Sequence, residues 1–359
     1  MDGQIPVTFN IKISSRSGQY EITTETKHHF IPENSFVIYD DFFTEDYVSK
    51  LVPKSHKIAI NVCEQNKSLM KAEEIFQNMV IAKCNKETHL FAIGGGAIQD
   101  LATLVASLFM RGINWSYFPT TLMAMLDSCI GGKSSINVGN YKNVLGNIYP
   151  PSRIHISAKI IDTLPSVDIA AGLAEAGKIC YAKSEHTFKE FLHVLKSETD
   201  KSLKYERLAE ISLNAKKWFI EIDEFDKKER KLLNFGHTFG HAIEAASYFT
   251  IPHGIAILIG MKVALNFADK KIDELEVFID ETFDSIRSKI GRVNINRNQY
   301  LLAISNDKKH SSQEMFFILP DEDCRLSLVG FPKSNKLLDD CWQSLINSLI
   351  DLGAEFEVL

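Results

Sequence analysis

His89-Leu-Phe-Ala-Ile-Gly-Gly-Gly-Ala-Ile-Gln-Asp100 passes from a strand-like run, His89 to Ile93, straight into Gly94-Gly95-Gly96 and on into the helical pattern of Ala97 to Phe109. The missing side chains let backbone approach a pyrophosphate, and the start of the next helix offers N–H groups that have no partner within the helix. As a fingerprint the run is incomplete, because the third glycine of GxGxxG would fall at Gln99. A plain strand-to-helix turn explains the glycines as well as a phosphate site does on this stretch alone.

Working outward, residues 7–26 alternate in the strand manner about Ser17-Gly18, the pattern of a hairpin. Ser35 to Tyr39 is a short apolar run closed by Asp40-Asp41, Lys57 to Val62 is another, and Ser68 to Met79 lies between such runs with helical spacing. Strand and helix alternating in this way predict a parallel sheet with right-handed crossovers. Beyond about residue 160 the pattern changes, and residues 166–220 and 237–291 are mainly helical in spacing. A chain of 359 residues is too long for one ordinary core. The expectation is an α/β N-terminal domain over residues 1–160 and a mainly α-helical C-terminal domain over residues 161–359, with no internal repeat and no low-complexity linker. The charged run Glu221 to Lys231 reads as a solvated loop or helix face.

Composition narrows the function classes. With 40 basic and 46 acidic residues the net charge is −6, which predicts no nucleic-acid partner but allows a local basic pocket. The six cysteines are scattered without a CxxC pair, so neither a zinc ribbon nor a disulfide framework is expected; reduced thiols in a cytoplasmic protein are. Met-Asp-Gly-Gln-Ile-Pro at the start is not the opening of a signal peptide. The longest apolar stretch, Ile255 to Leu265, is interrupted by Lys262 and too short to span a membrane.

Three further clusters carry possible chemistry. Asp127-Ser-Cys-Ile-Gly-Gly-Lys133 is followed by Asn137 and Lys142-Asn143 and preceded by Arg111; glycines beside lysines and asparagines make an anion pocket, although each is ordinary taken singly. Glu175 and Lys178 in Gly172-Leu-Ala-Glu-Ala-Gly-Lys178 could be a helix-surface pair, but their small, apolar neighbours suggest that both face a cleft. Lys216, Arg230 and Asn234 lead to His237 and His241, four apart and therefore on one helix face, with His253 nearby in sequence. A lone histidine here would be structural; three can hold a divalent metal or clamp an anion.

Together, Gly94-Gly-Gly, Met110-Arg-Gly, Pro119-Thr-Thr, Gly132-Lys, Lys142-Asn, Gly172-Leu-Ala-Glu and Asn234-Phe-Gly-His-Thr-Phe-Gly-His resemble, in the same order, the 3-dehydroquinate synthases within the sugar phosphate cyclase family. The match runs from about Glu64 to Lys309. The resemblance implies an NAD-binding α/β domain, a helical metal-binding domain and a site between them. It implies zinc, or cobalt, on Glu175, His237 and His253, which moves His241 from the metal to the substrate phosphate. Lys133, Asn143, His241, a lysine of Asp307-Lys308-Lys309, and Arg111 from a second subunit would complete the phosphate pocket. Asp127, Lys178, Lys216 and Asn234 would contact ring hydroxyls, and Arg230 with Lys216 the substrate carboxylate. Asp40, Glu64, Lys67, Gly95, Gly96, Asp100, Thr120 and Thr121 match NAD-contacting positions, and Lys142 is placed with them. The family reaction oxidises a carbinol with NAD, eliminates phosphate, returns the hydride and closes a carbocycle by aldol addition.

Some residues depart from the usual family pattern. Gln99 stands for a glycine, Glu175-Ala-Gly-Lys178 for Glu-Val-Ile-Lys, and Phe42 lies near a polar cofactor position. Gly139-Asn-Tyr-Lys-Asn143 looks more like cyclases that use sedoheptulose 7-phosphate, yet His241 is kept where those enzymes typically carry proline. Arg230 and Lys216 supply the cations a carboxylate substrate needs. The reading is a cytoplasmic, homodimeric lyase of the shikimate pathway and aromatic amino acid biosynthesis, acting on 3-deoxy-D-arabino-heptulosonate 7-phosphate. The alternatives are another sugar phosphate cyclase in a secondary or surface-carbohydrate pathway, and a metal-dependent polyol dehydrogenase, which an anion pocket argues against.

Overall fold

The computed structural model describes residues 9–24, 34–51, 56–62, 66–139 and 141–359. Contacts gather the chain into two compact units, Met1–Thr163 with Glu198–Glu224, and Leu164–Ser197 with Phe225–Leu359.

The first unit is built on a seven-stranded sheet. Its strands are β1 (Asn10–Ser15), β2 (Gly18–Thr23), β3 (Ser35–Asp40), β4 (His56–Ile60), β5 (His89–Gly94), β6 (Trp115–Pro119) and, beyond a small antiparallel pair β7 (Ile136–Val138) and β8 (Tyr141–Leu145), β9 (Arg153–His155). The order is β1-β2-β9-β6-β5-β3-β4. Only β1 runs antiparallel, paired to β2 through a turn at Arg16-Ser17, one residue before the expected Ser17-Gly18; the remaining pairings are parallel. β3 is hydrophobic without alternation, buried from Ser35 to Tyr39, as a strand covered on both faces must be. Helices α1 (Glu45–Leu51), α2 (Leu69–Ile81) and α3 (Gly96–Leu108) follow β3, β4 and β5. Since β4 lies on one side of β3 and β5 on the other, the strand order reverses between β3 and β5. Such a switch point opens a crevice at the carboxyl ends of the strands, which is where ligands bind in sheets of this kind.

After β9 come α4 (Ser166–Lys183) and α5 (Glu185–Ser197) of the second unit, then α6 (Lys201–Ile222), which returns to the first. Ser212 of α6 donates to the Leu126 carbonyl at 2.7 Å, tying that helix to the π-helical turn Ala124–Ser128. The charged run after α6 is not wholly solvated as its composition suggests: Asp223, Glu224 and Arg230 are buried. Glu224 accepts bonds from the backbone N–H of Arg16 at 2.7 Å and of Ser17 at 3.2 Å, so it clips the β1–β2 turn.

The second unit is mainly helical, with α7 (His237–Ala246), α8 (His253–Phe267) and α9 (Asp273–Asp284), further helices Arg297–Ser305 and Asn335–Asp351, and one hairpin, Glu314–Pro320 with Leu326–Pro332. α8 is its axis. Every residue from Gly254 to Leu265 is buried, so the longest apolar stretch is a core helix, apolar on all sides. Among the described residues no helix is long and apolar enough to cross a membrane. Lys262 is the polar interruption, and Glu276 at 3.5 Å and Asp280 at 3.3 Å receive its charge.

Candidate active site

In the second unit, three short helical segments bring together a buried carboxylate and three imidazoles. Glu175 and Lys178 lie on α4 with exposures of only 2% and 3%, so they are not a surface pair. Lys178 Nζ donates to Glu175 Oε2. The other oxygen, Oε1, is buried and has no hydrogen-bond partner. It lies 3.4 Å from His253 Nε2 and 3.8 Å from His237 Nε2. Ring nitrogens of His237, His241 and His253 fall within 4.8 Å of one another.

Glycines make this convergence possible. α7 and α8 cross so closely that a Cβ on Gly260 would lie 2.2 Å from the Gly236 carbonyl oxygen. A Cβ on Gly254 would lie 2.4 Å from the Ala171 carbonyl of α4. The glycine after His253 therefore lets the first turn of α8 press against α4, setting His253 beside Glu175.

Hydrogen-bond chemistry fixes the imidazoles. His237 Nδ1 is 3.3 Å from the Phe235 carbonyl, and His253 Nδ1 is 3.1 Å from Glu244 Oε2. Carbonyls and carboxylates only accept, so both Nδ1 atoms carry the proton and both Nε2 atoms look toward Glu175. Burial alone would raise the Glu175 carboxyl, but Lys178, then His237 and His253, hold it well below the usual range. Burial, reinforced by Lys178, keeps His237 well below the ordinary histidine value. His241 is also lowered, by desolvation first and by Lys309 second. For His253 the penalty of burial is outweighed by Glu175 and Glu244, which push it up to about 10.

This donor set fits a divalent cation. An anionic oxygen that is buried without a donor, faced by two Nε2 atoms, is what a borderline metal such as zinc or cobalt satisfies. Helical spacing alone favours the pair His237 and His241, whereas the position of Glu175 favours Glu175, His237 and His253. The orphan Glu175 Oε1 lies beside His237 and His253, while Lys309 acts on His241. Of the two lysines in Asp307-Lys308-Lys309, Lys309 is the one held in the unit: it contacts Asp307 at 3.1 Å and Thr238 Oγ1 at 3.3 Å.

Two more residues of the second unit complete the candidates. Arg230 is buried in a short 3₁₀ segment and pairs with Asp226 at 3.3 Å. Asn234 ends that segment and donates to the Lys231 carbonyl.

The first unit holds the remaining candidates. Asp40 ends β3, Gly95 and Gly96 cap and open α3, and Thr120-Thr121 follow β6, so all lie at the carboxyl ends of adjacent strands. The glycine turn is structurally demanding at Gly95, where a Cβ would lie 2.8 Å from Thr121 Cγ2. Desolvation, with Asp41 adding, raises the Asp40 carboxyl. Lys67 bridges Asp100 Oδ2 at 3.0 Å and Asn143 Oδ1 at 2.7 Å. Lys216 Nζ meets Asp127 Oδ1 at 2.6 Å and the Asp127 carbonyl at 2.8 Å. Lys133 and Lys142 are exposed, and Arg111 stands at an exposed turn where Met110, Arg111 and Gly112 have φ of 49°, 66° and 110°. Glu64 lies outside the described residues.

Comparison with known proteins gives one answer. The profile described as 3-dehydroquinate synthase N-terminal matches residues 57–171, and that described as 3-dehydroquinate synthase C-terminal matches residues 172–310. The chain belongs to the 3-dehydroquinate synthase family. It is 33% identical over 311 residues to 3-dehydroquinate synthase of Streptococcus pyogenes serotype M49, covering 84% of this chain and 82% of that one. Its fold is similar to 2-deoxy-scyllo-inosose synthase, crystallised with carbaglucose-6-phosphate, NAD+ and Co2+, at a TM-score of 0.79 and 21% identity over 93% of this chain and 99% of that one. It is similar too to 2-epi-5-epi-valiolone synthase from Streptomyces hygroscopicus subsp. jinggangensis 5008, with NAD+ and Zn2+ bound, at a TM-score of 0.74 and 20% identity over 88% and 91% of the two chains.

Within the 3-dehydroquinate synthase family the unusual Gln99 now has a structural account. It is buried, its Nε2 donates to the Ser128 carbonyl at 2.7 Å, and its Oε1 accepts from Ser128 Oγ at 3.0 Å. A side chain at this position locks the glycine turn to the segment carrying Asp127. Sequence reading missed Glu244, although it lies seven residues after His237 and three after His241, on the face those histidines share.

Proposed function

We propose that the protein is a 3-dehydroquinate synthase, converting 3-deoxy-D-arabino-heptulosonate 7-phosphate to 3-dehydroquinate and phosphate. The observation that carries the reading is the buried, unpartnered Glu175 Oε1 facing His237 and His253 in a chain of this family. Bound NAD would take and return the substrate hydride while a divalent metal, zinc in the first instance and cobalt as a substitute, polarises the oxidised oxygen.

Glu175, His237 and His253 are proposed to hold the metal. Asp40, Glu64, Lys67, Gly95, Gly96, Asp100, Thr120, Thr121 and Lys142 are proposed for NAD; the switch point between β3 and β5 and the Gly95 turn support this, and Glu64 rests on resemblance alone. Arg230 and Lys216 are assigned to the carboxylate, a role that their burial strengthens by keeping water from screening the charges. Lys133, Asn143, His241, Lys309 and Arg111 of a second subunit are assigned to the phosphate. A neutral His241 would donate a ring N–H to a phosphate oxygen. Asp127, Lys178, Lys216 and Asn234 would orient the ring hydroxyls. The protein's share of catalysis is then orientation and fixed electrostatics. The proposal includes a homodimer and a reducing, cytoplasmic setting; the five described cysteines, none of them in a disulfide, support the setting.

The test is phosphate release with NAD and zinc, run in parallel on 3-deoxy-D-arabino-heptulosonate 7-phosphate and sedoheptulose 7-phosphate, with products identified by mass. Dehydroquinate from the first substrate without net NADH is expected. Turnover of the second alone, or stoichiometric NADH, would overturn the reading.

A further inference from the structure

We propose that Glu244 is a positioning residue for the metal centre: through His253 it holds the ligand contributed by α8, and so sets the affinity for the metal. The inference rests on the metal reading above and deepens it.

Glu244 lies on α7, on the face shared by His237 and His241, with its side chain 15% exposed. Its Oε2 reaches across to α8 and lies 3.1 Å from His253 Nδ1. A carboxylate can only accept in that contact, which pins a proton on Nδ1 and holds Nε2 toward Glu175 Oε1, 3.4 Å away. His253 needs such a support more than His237 does. It is the first residue of α8 and its side chain is 38% exposed, against 15% for His237. The main chain of Glu244 acts in the same direction. Its carbonyl accepts from the Phe249 N–H at 2.8 Å and from Ser247 Oγ at 3.1 Å, which fixes the turn that leads into His253. Substitution of the side chain leaves those backbone bonds in place, so the two contributions can be separated.

The experiment measures Co2+ affinity of the full-length protein by competition with a chromophoric chelator, alongside the Co2+ d–d spectrum and the far-UV circular dichroism of the metal-free protein. Wild type, His253→Ala, Glu244→Ala, Glu244→Gln and Glu244→Asp are compared. Metal binding about 10–100-fold weaker is expected for Glu244→Ala, with an unchanged metal-free fold and an altered d–d spectrum. Glu244→Gln, which keeps an acceptor but loses the charge, should fall between it and wild type. If Glu244→Ala fails to fold, the isosteric Glu244→Gln carries the test, and wild-type affinity in that variant overturns the proposal. Wild-type affinity in Glu244→Ala, while His253→Ala loses the metal, sinks the role of Glu244 and leaves the metal centre standing. No Co2+ binding by wild type sinks both.

Discussion

One cluster in each unit treats buried charge in the opposite way to the other. In the first, polar groups satisfy one another: Lys67 spans Asp100 and Asn143, and Lys216 spans the side chain and carbonyl of Asp127. In the second, Lys178 takes one oxygen of Glu175 and leaves the other with two imidazoles and no hydrogen bond. A self-satisfied network can wait for its ligand at no great cost, and it exchanges internal bonds for ligand bonds on binding. A carboxylate oxygen buried without a donor costs free energy until a cation arrives. The first arrangement suits a cofactor and substrate that come and go, the second a resident metal.

The largest effect should come from breaking the second arrangement. Glu175→Ala should abolish phosphate release and also destabilise the fold by about 3–5 kcal/mol, because Lys178 is left buried without its counter-charge. Chemical denaturation of Glu175→Ala beside Glu175→Gln/Lys178→Met checks this: the double variant should regain stability without activity. Next comes the glycine crossing. Gly260→Ala should cost about 1–3 kcal/mol as α7 and α8 are forced apart, with metal affinity falling alongside. If stability falls while metal affinity does not, the crossing does not position the ligands.

Smaller effects are expected in the first unit. Lys67→Met should weaken both NAD and phosphate-bearing substrate, each by about 1–3 kcal/mol, since one lysine serves Asp100 and Asn143. Loss of only one affinity, by separate titrations, would show that the bridge does not couple them. Smallest is the hairpin clip. Desolvation raises the Glu224 carboxyl, but bonds from Ser17 and Arg16 outweigh it and hold it below the ordinary value. That stabilisation is present above the unfolded pKa of about 4.3 and lost as pH falls through the depressed folded value. Glu224→Gln should therefore lower thermal stability by roughly 1 kcal/mol at pH 7, with the gap closing in acid. A constant gap from pH 7 to pH 3 would contradict this.

Much of the plan was legible because local signals agree with the fold. The strand-glycine-helix run of residues 89–109 is β5, its turn and α3; the helical spacing after about residue 160 reports the second unit except for α6, which groups with the first, so the expected single boundary near residue 160 is corrected. What spacing could not reveal is tertiary. His237 and His241 look like the metal pair because a helix face is visible in sequence, while the approach of Glu175 from α4 depends on Gly254, whose importance shows only against Ala171. Glu244 was hidden similarly, since its partner begins the next helix. The charged run after α6 misled for a related reason: Arg230 is buried and paired with the half-buried Asp226, and charge count alone does not reveal pairing. Gln99 looked like a departure, and only the Ser128 bonds explain what the extra side chain does.

His253 opens the most deeply buried helix of its unit. With His253 as the proposed ligand, metal capture and the ordering of α8 would be thermodynamically linked, and saturation should register as heat resistance of the whole unit. By mass action a metal at a thousand times its dissociation constant adds about 4 kcal/mol to folding, so chelation would remove that increment before any substrate is involved.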